Sequence, residues 1–348
     1  MTGQGRLPVV FAPASDERLS SWIARMARFY AMTVPEFLPE LGLPGRDVFD
    51  LEWRLSEGEG ALIAARTGLS VQALQAMTFG ELIPEARMII RRNWHRCPQC
   101  SGDVQGKSAA LPWVFRCPLH GADMEDVTGG SLSEFLGAGR LAAMEAHART
   151  GAALLDAWAR GDGQDGLGPV EMLALLTARH RRASPPSVRE QPRMSLQTRR
   201  DYHEFLTTLI IRQVLTVVVP EYDAAAPVLV KPVRPGLHSL ARGSPLQAFA
   251  LAVGIGRIAE APVDQAIAVF LKSDADGQGR VQDALRSWPL SLRRRISARL
   301  WRAQHDERAP DRPENPRDGA SLRNSGASSL TNTARESHEP RFVFQGSV

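Results

Sequence analysis

The sequence predicts a mainly α-helical chain. Its N-terminal, helix-turn-helix-like domain carries an inserted zinc ribbon, and a helical C-terminal domain and a disordered tail follow. Three observations carry that expectation. All 3 cysteines fall in one short stretch with a histidine beside them. Apolar residues recur at helical spacing in segment after segment. Ala, Leu and Arg are abundant while aromatics make up only 6% of the chain, a balance that favours helices. At 348 residues the chain has room for two or three domains. The formal net charge of +4 and pI near 9.3 admit a nucleic-acid partner without demanding one.

Taken in order, Leu7 to Pro13 is apolar with prolines and reads as an extended arm. Asp16 then opens a helix in which Leu19, Trp22, Ile23, Met26 and Phe29 recur at helical spacing, with Asp16 and Glu17 suiting its positive end. Thr33 followed by Pro35-Glu36 starts a second helix through Leu41, closed by Gly42. Val48 to Leu55 reads as a short helix. Over Gly58 to Phe79, Ala64 precedes Gly68 by four residues, Ser70 is placed to cap, and Leu74 and Met77 fall on one side. That pattern suits a helix-turn-helix with Gln72 and Gln75 facing outward, or a plain helical hairpin. Its outward face has no arginine.

The window from about Arg92 to Val127 reads as short hairpins, with Leu111 to Phe115 as a strand. Ser131 to Arg182 is helical with a glycine-rich break at Gly161 to Pro169, and Ala183 to Pro192 is a proline-marked linker. Leu196 to Val219 reads as a helix, and the prolines after Pro220 forbid long ones. Pro245 to Ile258 and Pro262 to Leu271 form a second, weaker helix-turn-helix candidate with Ala250 and Gly254 four residues apart. Val281 to Trp288 and Pro289 to Trp301 close the helical part. From Ala309 to Gln345 the composition is that of a disordered tail. The domains expected are thus 1–130 with the ribbon inside it, a connector over 131–182, a linker over 183–195, a helical domain over 196–304 and a tail over 305–348.

Cys97-Pro-Gln-Cys100 and Cys117-Pro-Leu-His120 are two ligand pairs with sixteen residues between them. Each pair fits a tight knuckle, and four soft or borderline donors can converge tetrahedrally on one zinc ion. Four protein ligands close the coordination shell, so the zinc is expected to be structural. A disulfide framework would need even pairing and a secretory segment. A redox pair at Cys97 and Cys100 would leave Cys117 and His120 unexplained. The reducing compartment this implies is the cytoplasm, and nothing in the sequence approaches a membrane span. His95 is a spare imidazole beside the site, suited to a supporting role.

Arginines gather in three places: around the zinc window (Arg91, Arg92, Arg96, Arg116), around the proline-rich joint, and near the end of the helical part (Arg293, Arg294, Arg295). One cluster alone is often a solvated face. Three together favour contact with DNA phosphates.

Two segments together resemble the TniQ family. One is Leu7 to Ala27, with Pro8, Glu17, Leu19, Ser21, Trp22, Arg25 and Ala27 at the matching positions. The other is Arg96-Cys-Pro-Gln-Cys100 with Trp113-Val-Phe-Arg-Cys-Pro-Leu-His-Gly121. A further cysteine pair carried by many relatives has no counterpart here, which leaves one metal site. The resemblance implies an accessory protein of DNA transposition. Such a protein links target-site selection on double-stranded DNA to an AAA+ ATPase regulator and a transposase. Trp22 and Arg25 are candidates for partner contact, with burial in the core the plainer role for Trp22; homodimerisation is compatible with all of this. The alternative is a zinc-containing helix-turn-helix transcriptional regulator. No HExxH, P-loop or GxSxG motif is present, so no enzyme is expected.

Overall fold

Among the described residues strand is scarce and helix dominates, 61% against 4%, so the fold is mainly α. The computed structural model describes residues 5–90, 95–100, 102–126, 131–162, 166–181, 211–225, 235–242 and 244–306. The expected linker over 183–195 and most of the tail lie outside the described residues.

The N-terminal bundle follows from its apolar spacing and its caps. Helix α1 (Leu19–Phe29) turns Leu19, Trp22, Ile23 and Met26 into the core, each with no exposed surface. It begins after Arg18, not at Asp16. Asp16 takes a left-handed φ of 61°, so the two acids expected at the helix start are used elsewhere, as described below. Helix α2 (Val34–Glu40) is entered through a capping box between Thr33 and Glu36 and ends before Gly42, whose φ of 82° permits the reversal. Helix α3 (Val48–Trp53) is capped by Asp47. Helix α4 (Glu57–Thr67) starts from a second capping box, Ser56 with Glu59, and closes on left-handed Gly68. Ser70 then caps α5 (Val71–Ala76). Phe37, Leu51, Ile63 and Leu74 join the α1 residues in one core, over which Leu7, Val10 and Phe11 of the arm are laid.

Ala31 also adopts a left-handed φ, 54°. A Cβ there costs about 1 kcal/mol or more, so Ala31→Gly should stabilise the bundle by about 1 kcal/mol in urea titration. A variant no more stable than the parent would contradict this.

Beyond the bundle, β1 (His95–Arg96) pairs antiparallel with β2 (Glu125–Asp126). The expected strand over Leu111 to Phe115 is not formed. Leu111, Trp113 and Val114 make a turn, and among the described residues the ladder contact near them is the bridge Arg116↔Asp123. Trp113 is buried there, so its apolar run reports packing and not pairing.

Ser131 caps α6 (Leu132–Leu136), and α7 (Ala138–Ala159) and α8 (Pro169–Leu176) follow. The helix does not continue to Arg182. After Leu176 the chain enters β3 (Arg179–Arg181), which pairs with β4 (Ile211–Gln213). The expected helix over Leu196 to Val219 is replaced, where described, by β4 and the four-residue α9 (Leu215–Val218). β-branched Ile211, Val217 and Val218 suit either state, and pairing decides for Ile211. Short α10 (Pro220–Ala225) and α11 (His238–Arg242) precede α12 (Pro245–Glu260) and α13 (Pro262–Leu271). Asp274 caps α14 (Ala275–Leu285), so this helix starts before Val281.

Helix α12 is buried along nearly its whole length and packs against α7. Small residues set their separation. A Cβ on Gly151 would lie 1.9 Å from the Ala252 carbonyl oxygen, and one on Gly256 2.1 Å from that of His147. Gly254 sits inside α12, as expected, with Leu176 packed against it. Gly151→Ala should force the two helices apart and cost about 1–3 kcal/mol, read as a lower urea midpoint. An unchanged midpoint would mean that the helix crossing absorbs the added methyl without strain. Among the described residues no single helix is long and apolar enough to cross a membrane. α12 and α13 pass only as a pair bent by 113°.

Residues from Leu290 onward form a second unit. Its described part is α15 (Leu290–Asp306), with Ile296 and Leu300 buried and Trp301 stacked on His305.

Candidate metal centre

Each predicted ligand pair sits on a tight turn. The Cys100 amide donates to the Cys97 carbonyl, and the Gln99 amide reaches the Cys97 sulfur at 3.4 Å. At the second knuckle the Gly121 amide donates to the Cys117 carbonyl at 2.8 Å, with Gly121 left-handed. The Cys117 and Met124 amides then donate to the Ala122 and Phe115 carbonyls, tying the knuckle into a small hairpin.

These turns bring Cys97, Cys100, Cys117 and His120 together, with their ligand atoms all within 4.8 Å of one another. The Cys100 and Cys117 sulfurs are 3.7 Å apart. Nδ1 of His120 lies 3.5, 3.4 and 3.6 Å from the sulfurs of Cys97, Cys100 and Cys117. Metal–sulfur bonds of about 2.3 Å meeting at tetrahedral angles would set neighbouring sulfurs about 3.8 Å apart. The donor set therefore has the edge lengths of a four-coordinate cage and could hold a metal ion. Cys97 and Cys117 are buried, while His120 closes the cage from the solvent side.

The electrostatics agree. Burial, then the adjoining Cys117 and Cys97 thiols, pushes the Cys100 thiol up to about 12. Burial also opposes ionisation at Cys117, but the backbone N–H groups of His120 and Leu119, with help from Cys97, outweigh it and bring that thiol down to about 7. One thiolate is thus favoured, and a second needs a cation between them. Because Cys100 is protonated at neutral pH, metal uptake there should release at least one proton per ion, and affinity should rise with pH. Calorimetry at pH 7.5 in buffers of different ionisation enthalpy reads this directly; uptake without proton release would refute it.

His95 is not brought into the cage. It is buried with Nδ1 3.0 Å from the Val114 carbonyl oxygen, bracing the turn before the second knuckle.

The loop between the knuckles is bonded to the helical bundle. The Lys107 amide donates to the Asp16 carbonyl at 2.7 Å, and the Ser108 amide donates to the Asp16 carboxylate at 3.1 Å. The Arg18 amide donates to the Gln105 carbonyl, and the Gln105 amide to the Ser21 hydroxyl. Lys107 Nζ donates to the Ala76 carbonyl at the end of α5 and pairs with Glu81 at 2.8 Å. This seam is where Asp16 is used. Glu17 turns inward to meet Arg25 at 2.8 Å. This seam is not legible from residue types, because hydrogen bonds from loop amides leave no side-chain pattern.

The remaining candidates are dispersed. Gln72 and Gln75 are exposed on α5, which is only six residues long. Arg91 and Arg92 lie outside the described residues. Arg96 pairs with Glu125 at 3.6 Å, and Arg116 with Glu145 at 3.0 Å and Asp123 at 3.7 Å. Arg294 and Arg295 are exposed on α15, and Arg293 is half-buried. Trp22 has no exposed surface and donates its indole N–H to the Phe11 carbonyl at 2.9 Å. It therefore anchors the arm from within. Arg25 also reaches the arm, donating to the Ala12 carbonyl at 3.0 Å.

The family model described as TniQ matches residues 8–124, the span of the arm, the bundle and both knuckles. Neither the comparison with curated proteins nor that with solved structures finds a match.

Proposed function

We propose that this chain, a TniQ family member over residues 8–124, is a non-enzymatic accessory protein of DNA transposition. It binds target DNA in the cytoplasm and links target-site selection to an AAA+ ATPase regulator and a transposase. The observation that carries the proposal is the coincidence of the family match with a four-donor cage enclosed by the same span.

On this reading the cage holds one structural zinc. Three thiol donors and one imidazole suit zinc chemically. The ion fixes two knuckles whose intervening loop braces the start of α1 and the end of α5. Cys97, Cys100, Cys117 and His120 fill the coordination shell, so the metal scaffolds a docking surface and takes no part in a reaction. DNA affinity would come from arginine contacts to phosphates, with the zinc-window arginines, the α15 arginines and the exposed glutamines of α5 as candidates. The arm held by Trp22 and Arg25 is available to a protein partner.

The test is a reconstituted transposition assay containing an AAA+ ATPase and a transposase from the same organism. Omitting this chain should abolish targeted insertion, and restoring it should recover targeting. Insertion at the same sites without it would refute the proposal. The hairpin of α4 and α5 around Gly68 keeps one alternative in view, a zinc-containing transcriptional regulator. Sequence-specific binding to its own promoter, with no ATPase captured, would favour that alternative.

A further inference from the structure

The basic residues near the metal cage and those of α15 differ in what they already touch. Arg96, Arg116 and Lys107 each have an acidic partner, and so do Arg28, Arg46 and Arg87. A guanidinium already paired must give up that partner before it can neutralise a phosphate. On α15, by contrast, Arg294, Arg295 and Arg302 are exposed and make no ion pair among the described residues. From Leu290 to His305 the sequence has five arginines and no acid.

Helical spacing arranges them. Arg295, Arg299 and Arg302 follow one another at steps of four and three, so they form one row. Arg294, Trp301 and His305 form the adjoining row at steps of seven and four. Trp301 is 41% exposed and stacks on His305 with ring centroids 4.3 Å apart. The opposite side holds Ile296 and Leu300, only 3% and 8% exposed. Cations near the first turn also work against the helix dipole, so they are poorly explained as devices for stabilising α15.

We infer that α15 is the principal duplex-DNA contact of this chain, with Arg294, Arg295 and Arg302 on backbone phosphates. This gives the DNA contact proposed above a place, and it depends on that contact existing. Arg294 to Arg302 covers about 12 Å of helix axis, and duplex DNA presents one charge per about 1.7 Å of its axis, so one row can meet several phosphates. A membrane surface fits less well. A helix lying in that interface buries its apolar side in lipid, and here Ile296 and Leu300 leave little apolar surface to bury. The Trp301–His305 stack adds a flat edge beside the cations, suited to packing on sugar and phosphate.

The test uses the full-length protein and a labelled duplex of arbitrary sequence, followed by fluorescence anisotropy from about 50 to 300 mM salt, a range in which phosphate contacts are strongly weakened. Replacing all three residues (R294Q, R295Q, R302Q) should weaken binding at least about tenfold and flatten the log–log salt slope by about two to three. The matching lysine replacements should restore most of the slope. Removing three cations that are already paired (R28Q, R46Q, R160Q) should leave affinity within about twofold, because paired cations release few counterions. If the parent binds duplex and the α15 glutamine variant binds it equally well with the same slope, the inference is wrong and the DNA reading survives. If the parent fails to bind duplex at the lowest salt, the DNA reading fails and takes the inference with it. Loss of binding to phosphatidylserine vesicles or to polyglutamate, with duplex binding intact, would assign α15 to a membrane or to an acidic protein and also overturn it.

Discussion

Cys117→Ser should destabilise the N-terminal half of the chain by on the order of 5 kcal/mol and strip it of metal. Cys117 is one of four donors, and its sulfur lies within 3.7 Å of both Cys100 Sγ and His120 Nδ1. Serine keeps the backbone bonds of the second knuckle but offers a hydroxyl that binds the ion poorly at neutral pH. The remaining three donors would have to hold the cage against water. The loss should not stay local, because the loop between the knuckles is bonded to Asp16, Arg18 and Ser21. Amide exchange should therefore speed up at Arg18 and Leu19 as well as at Gln105 to Ser108. Metal analysis together with urea unfolding reads both parts. A variant that contains no metal, yet unfolds at the parent's midpoint with unchanged exchange in α1, would show that the cage is dispensable.

Glu52→Ala comes second in expected size. Arg18 and Glu52 form a two-pronged ion pair with side chains only 4% and 2% exposed, and the Arg18 guanidinium lies 5.9 Å from the Phe79 ring centroid. Deleting one partner of a buried pair typically costs about 3–5 kcal/mol, because the other charge keeps its desolvation penalty. Replacing both with apolar residues of similar volume should recover much of that loss. The comparison therefore separates the penalty of a stranded charge from the net worth of the pair. Urea midpoints of Glu52→Ala and of the double variant Arg18→Met, Glu52→Leu provide it. A single variant within 1 kcal/mol of the parent, on the scale set by surface pairs, would mean that water reaches the site.

Much of this was legible in the sequence where a residue's role is local. The ligand spacing found the cage because four donor types at two short separations have few other uses. Apolar spacing placed α1, and start and stop signals at Thr33, Pro35 and Gly42 placed α2, each to within a few residues; Gly68 with Ser70 marked the turn between α4 and α5. What escaped was decided by distant contacts. Leu111 to Phe115 has the composition of a strand but turns, because Trp113 is buried where, among the described residues, no partner strand runs alongside. Arg179 to Arg181 looked like the end of a helix and became a strand because Ile211 to Gln213 pairs with it. Asp16 and Glu17 looked like helix-start acids, yet one bonds a loop more than ninety residues away and the other an arginine on the helix it precedes. Gly254 fell inside an expected helix, and only the structure shows what it packs against, Leu176. The arginine clusters were equivalent in the sequence, and only their partners tell them apart.

The bonding of Gln105, Lys107 and Ser108 to the helices makes chain length between the knuckles a fixed quantity. A free-standing finger can tolerate inserted residues in the span joining its ligand pairs; this one should not, since even one added residue after Gly102 would put four bonds of the loop backbone out of phase. For the same reason the finger should transplant poorly into an unrelated host. Natural variation in length would be better accommodated in the stretches bordering the hairpin than inside it.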